Sequence, residues 1–163
     1  MSEHVDAATR EEPRGLLRST EGEQATLLGM EVRILHRDGM GRFSLVEFTV
    51  PPSTAQAPPP HLHRATEELL HVVEGALQVQ VGEAVLAAGA GDTVRIPPGT
   101  PHTFWNPGEA GCRCLALCTP AGFERFFIDV AKGLAAGDGS PERAREIRDD
   151  LAARYDVEYG PRP

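Results

Sequence analysis

Residues 60–68 read Pro60-His61-Leu62-His63-Arg64-Ala65-Thr66-Glu67-Glu68, and further along His102 follows Pro97-Pro98-Gly99-Thr100-Pro101. In an extended strand, side chains two apart share a face, so His61 and His63 project together. Glu68 is out of phase with them on one continuous strand. A turn at Arg64-Ala65-Thr66 that returned the chain as the neighbouring strand would bring its carboxylate back toward the imidazoles. His102 enters its own strand from a tight Pro/Gly turn. Three imidazoles and a carboxylate suit Fe, Mn, Ni, Co, Cu or Zn. An isolated His-x-His is more often a solvated or hydrogen-bonded pair than a metal site, so the surrounding pattern has to decide.

Outward from this stretch the pattern is one of short strands separated by turn residues. Residues 30–36 and 42–50 are apolar or β-branched runs around the glycine-rich loop Arg37-Asp38-Gly39-Met40-Gly41. A proline-rich connection, Pro51-Pro52 to Pro58-Pro59-Pro60, is too poor in donors for a central strand. Strands are then expected at 67–74, 77–81, 83–88, 93–96, 102–106 and 112–119, each bounded by Gly, Pro or Asn, which argues for a sandwich or barrel.

The character changes at Thr119-Pro120, read as an N-cap followed by the first helical residue. Phe123, Phe126, Phe127, Val130 and Leu134 then fall on one helical stripe, and Gly137-Asp138-Gly139 ends it. Ser140-Pro141 repeats the start signal, with Ala144, Ile147, Leu151 and Tyr155 as a second stripe. The organisation expected is a flexible polar arm over 1–14, a β domain over 15–119 and two amphipathic helices over 120–163 that pack on it.

Composition limits what such a domain can do. The 163 residues are 40% hydrophobic and 25% charged, enough for one globular domain with a core. Sixteen basic residues against 24 acidic ones give a net charge of −8, the wrong sign for wrapping nucleic acid. No apolar run approaches the ~20 residues of a membrane-spanning helix, and the first residues lack the apolar stretch of a secretory signal. A cytoplasmic location is the expectation. Cys112, Cys114 and Cys118 share a strand parity; a second zinc site is conceivable, but thiolates are short and packing is the stronger reading.

The segment His61-x-His63-x4-Glu68-x6-Gly75 resembles the first cupin motif at every defining position, and Gly91-x5-Pro97-x-Gly99-x2-His102-x3-Asn106 resembles the second. The strand pattern extends the resemblance over about residues 30–119. It implies a mainly β fold, a single cupin β-barrel (jelly roll), here with two C-terminal α-helices, and one divalent transition metal ion held by His61, His63, Glu68 and His102. It also implies a homodimer, for which the apolar run 30–34 is the local support. Residues 119–127 and the closing 154–161 look like the corresponding parts of single-domain cupins related to quercetin dioxygenases.

Parity from Glu68 places Leu70 and Val72 inside, and parity from His102 places Phe104 inside with Trp105 outside. His71 should point away, and Asn106 should close its strand by hydrogen bonding instead of touching an ion. Phe123 and Phe127 either pack the helix on the barrel or close a substrate pocket. Glu47 enters that pocket if Phe43 and Leu45 face inward; the opposite face, with Val46 and Phe48, is equally apolar. The resemblance implies a metal-dependent dioxygenase acting on an aromatic or enolisable small molecule, with Glu68 as both ligand and catalytic base. The alternatives are a non-redox cyclase, isomerase or lyase, and a non-catalytic small-ligand binder.

Overall fold

The computed structural model describes residues 15–27, 29–37, 41–52, 57–137 and 140–160. The arm at 1–14 and His4 lie outside the described residues, as do the centre of the 37–41 loop, part of the proline-rich connection, and Asp138-Gly139. The described elements are β1 (Gln24–Leu27), β2 (Met30–Arg37), β3 (Ser44–Val50), β4 (His61–Leu62), β5 (Glu67–Glu74), β6 (Ala76–Val81), β7 (Ala84–Gly89), β8 (Thr93–Ile96), β9 (His102–Trp105), β10 (Cys112–Thr119), α1 (Glu124–Ala136), α2 (Pro141–Ala152) and β11 (Glu158–Tyr159).

The strands form two antiparallel sheets, ordered β1-β2-β3-β10-β5-β8 and β11-β4-β9-β6-β7. Period-two burial along β2, β3, β5 and β10 sends one face of the first sheet toward the second. Phe48, Leu70, Val72, Leu77, Val79 and Ile96 fill the space between. The result is the expected jelly-roll architecture. Each such side chain contributes about 1.5–3 kcal/mol on burial, and Phe126, Phe127 and Val130 of the first helix extend the same core.

Parity resolves three questions left open by the sequence. Val46 and Phe48 face the core, so Glu47 lies on the outer face, paired with Arg33 at 2.9 Å and facing Arg113 at 3.4 Å. It is excluded from the interior. The three cysteines are free and buried in the core, and burial pushes their thiols up, which makes them packing residues. Met30, Val32 and Ile34 are buried within their own barrel, and Glu31 and Arg33 between them face outward.

The first helix begins later than its apparent start signal. Thr119 remains the last residue of β10, paired with Glu67, and its hydroxyl donates to the Arg42 carbonyl at 2.8 Å. The chain therefore turns before α1 starts at Glu124, whose buried carboxylate accepts the Gly122 N–H. The start of α2 follows the sequence signal: the Ser140 hydroxyl accepts from the Arg143 N–H at 3.2 Å. The helices approach closely at Gly133, where a Cβ would sit 2.6 Å from Ile147 Cγ2. No helix among the described residues is long and apolar enough to cross a membrane.

Gly75, between β5 and β6, has φ of +84°, and a Cβ there would meet the Gly111 carbonyl oxygen and Cys112 Cα, both at 3.1 Å. Gly75→Ala combines a disfavoured backbone angle with backbone contacts that cannot swing aside. A loss of about 1–3 kcal/mol in urea unfolding is expected. An unchanged midpoint would mean the turn can rearrange.

Candidate metal centre

The histidines come from two neighbouring segments. His61 lies on β4 directly across from His102 on β9, and His63 follows β4 immediately. Glu68 reaches the group from β5, which belongs to the other sheet, so the turn at 64–66 carries the chain across the sandwich and not to an adjacent strand. All four residues are buried, at 2–8% exposure, so their polar atoms must be satisfied by one another or by a ligand. The ligating atoms of His61, His63 and His102 lie within 4.8 Å of one another. The Glu68 Oε2 is 3.2 Å from His102 Nε2 and 3.9 Å from His63 Nε2.

Backbone carbonyls fix the tautomers. His61 Nδ1 donates to the Pro59 carbonyl at 2.9 Å, His63 Nδ1 to that of Asp156 at 2.7 Å, and His102 Nδ1 to that of Thr100 at 3.0 Å. A carbonyl can only accept, so each neutral ring carries its proton on Nδ1 and leaves the Nε2 lone pair free. His63 Nε2 and His102 Nε2 are buried with no hydrogen-bond partner. In that tautomer, His102 Nε2 and the Glu68 carboxylate are two acceptors facing each other at 3.2 Å. Such a contact is favourable only with a cation shared between them. The donor set and its orphaned lone pairs therefore fit a divalent metal ion.

The titration directions follow the same geometry. Burial, together with the neighbouring His102 and His63, lowers His61 to about 3, and burial also holds His63 below its ordinary value. For Glu68, burial works upward, but the hydrogen bond and charge of His102, aided by the other two histidines, outweigh it and the net shift is downward. For His102, burial works downward, and the hydrogen bond and charge of Glu68 reverse it.

The two motif turns do mechanical work here. Gly99, at φ +76°, donates its N–H to the His63 carbonyl at 2.6 Å, so the turn that delivers His102 is also tied to the strand carrying His63. Asn106 spans three backbone groups, donating to Val50 O and Ala110 O and accepting from Gly108 N, and takes no part in the histidine group. His71 points away and bonds Thr93 Oγ1, and Glu67 pairs with Arg95.

A cavity of about 300 Å³ adjoins the centre. Of the four residues, His61 and Glu68 border it; Phe104, Phe123 and Phe127 line it too, as the sequence anticipated. Phe123 packs with the core and sets its ring 4.3 Å from that of His63. Leu70 and Val72 are fully buried but pack in the core beyond the cavity wall.

Sequence reasoning missed the C-terminal contribution. Asp156, at φ +57°, accepts from the N–H groups of Arg64, Ala65 and Thr66 and from Thr66 Oγ1, at 2.9–3.0 Å, while its own carbonyl holds His63. Those hydrogen bonds outweigh the upward effect of burial and hold its carboxyl below the ordinary range. Tyr159 on β11 pairs with His61, and Arg145 and Arg148 of α2 reach the cavity wall. The resemblance of 154–161 to related cupins covers Asp156 and Tyr159, but it does not indicate these contacts, because their partners are far away in sequence.

A two-sheet jelly roll with three buried histidines beside an apolar cavity defines a class, and comparison with known proteins agrees. The cupin domain family matches residues 46–118, and the chain belongs to the cupin superfamily. Quercetin 2,3-dioxygenase of Bacillus subtilis is 36% identical over 91 residues, which is 55% of this chain and 26% of that enzyme. An uncharacterized protein of Methanocaldococcus jannaschii is 32% identical over 60 residues, 37% of this chain and 48% of its own. The chain thus spans about a quarter and about half of these two curated relatives. The polyketide cyclase RemF from Streptomyces resistomycificus has a similar structure, with a TM-score of 0.56 and 27% identity, covering 66% of this chain and 80% of that one.

Proposed function

We propose that the protein is a metal-dependent cupin enzyme in which His61, His63, His102 and Glu68 hold one divalent transition metal ion, and that it acts as a dioxygenase on an aromatic or enolisable small molecule. The observation that carries this reading is the set of Nε2 lone pairs, two of them without a partner, beside an aromatic-lined cavity. When bound, the ion supplies Lewis acidity and a partner for oxygen chemistry. The chain's own residues do the rest. Phe104, Phe123 and Phe127 bind the flat substrate and exclude water. Glu68, the one carboxylate on the cavity wall among the described residues, takes the proton from a substrate hydroxyl.

The likeness to quercetin 2,3-dioxygenase supports oxygen chemistry, and the likeness to a polyketide cyclase supports a second, non-redox reading as cyclase, isomerase or lyase. Both use the same residues. Elemental analysis of the purified protein, followed by oxygen uptake with a panel of flavonols and polyphenols, separates them. Uptake coupled to substrate loss is expected. Substrate loss without uptake, in protein loaded with Fe, Mn, Ni or Co, would favour the non-redox reading, and an inert protein that still binds these compounds would leave a ligand-binding role. Within the lead reading the enzyme is a cytoplasmic homodimer; a monomeric mass in sedimentation would remove the dimer.

A further inference from the structure

Among the described residues, the cavity wall is apolar except at the metal centre, at Tyr159 and at two arginines from α2, Arg145 and Arg148. Arg148 lies with its guanidinium carbon 4.6 Å from the centroid of the Tyr159 ring, and that ring is 6.1 Å from the ring of His61. The cation is therefore held one aromatic ring away from the candidate metal ligands. Stacking on Tyr159 fixes its plane. One Nη2 contact to Asp149 at 3.3 Å accounts for part of its hydrogen-bonding capacity, but Nε is buried with no hydrogen-bond partner. Arg145, one helical turn earlier at an exposed position, adds a second positive charge to the same wall. Glu68, the only carboxylate on that wall among the described residues, is turned toward His102.

A neutral hydrocarbon ligand would leave the exposed part of the Arg148 guanidinium, whose side chain is 26% exposed, without an acceptor on the wall. An anion would satisfy it with a charge-assisted bond in a wall of low polarity, where such bonds are strong. We propose that the substrate class is an aromatic carboxylic acid or a comparably anionic aromatic: its ring system fills the cavity, and its anionic group docks on Arg148 with support from Arg145. This deepens the enzyme reading and rests on its choice of this cavity as the substrate site. It adds a specificity determinant, because the anion fixes which end of the substrate lies against the histidines.

The test uses the full chain as purified, with its metal content measured, and calorimetric titration with 2-naphthoate and its neutral counterpart 2-naphthamide. Wild type is expected to prefer the acid by about tenfold or more. Arg148→Met keeps the apolar stem and removes the charge. It should bring the two affinities within about twofold while the amide binds as before, which also shows that the cavity is intact. Arg145→Gln should lower the preference by about threefold, in keeping with its exposure. Equal binding of acid and amide by wild type overturns the proposal, as does failure of both to bind. A preference that survives Arg148→Met but disappears on chelation also overturns it, by placing the carboxylate on the metal. A protein that holds no metal yet still prefers the acid would sink the enzyme reading and leave the anion site standing.

Discussion

His102→Ala protein, expressed and purified beside wild type, is expected to bind its metal at least about a hundredfold more weakly. The reason lies in how the centre is divided among elements. His102 is the point where β9 meets β4, directly opposite His61, and it is also the residue nearest the Glu68 carboxylate. Its removal takes away one lone pair and leaves Glu68 without the partner that keeps it ionised in a buried place. His61→Ala should lose metal similarly. Glu68→Gln differs in kind: the amide is close to isosteric and can donate a hydrogen bond to His102 Nε2, which relieves the facing acceptors. Metal content should fall by less than turnover does, because glutamine cannot take up a proton. Elemental analysis and single-turnover rates on the three variants decide this, and equal metal loss in all three would remove the dual role of Glu68.

Asp156→Ala should cost about 2–4 kcal/mol of stability and weaken metal binding by roughly 10–100-fold, although this residue is not among the candidate ligands. Its half-buried carboxylate accepts four hydrogen bonds from residues 64–66, the turn that joins His63 to the strand carrying Glu68. Alanine removes all four and is itself disfavoured at φ +57°. The Asp156 carbonyl orients His63 through Nδ1, so a shifted backbone would turn the ring and misdirect Nε2. Asp156→Gly separates the two effects. It keeps the backbone angle, so metal affinity should be recovered in part while stability stays low. The measurements are urea unfolding and competitive metal titration. Wild-type metal affinity in a clearly destabilised Asp156→Ala protein would show that the carbonyl contact does not govern the centre.

Most of the strand framework was legible because its signals are local. Alternation placed Leu70 and Val72 inside with Glu68, and Phe104 inside with His102; both hold. The glycines at 75, 91 and 99 have the positive φ that their turns require. Local signals also misled. Thr119-Pro120 reads as a helix start, but Thr119 is retained by strand pairing with Glu67, and pairing across a sheet outweighs an isolated capping preference. Parity could not choose a face for Glu47, because both faces of β3 are apolar; the choice falls to the second sheet, which covers Val46 and Phe48.

From the sequence alone come the jelly-roll class, the candidate ligand quartet and the two C-terminal helices. The helices rest on side-chain period, and the class and the quartet on the resemblance of the two motifs to those of cupins; both kinds of signal act over a few residues. The tertiary structure decided how Glu68 arrives, crossing from the opposite sheet, and what surrounds the centre. Asp156 bonds His63 across 93 residues of chain, and Tyr159 and Arg148 complete the cavity from the same distant segment. Such contacts depend on where the whole chain packs its last helix, and no local pattern encodes that placement.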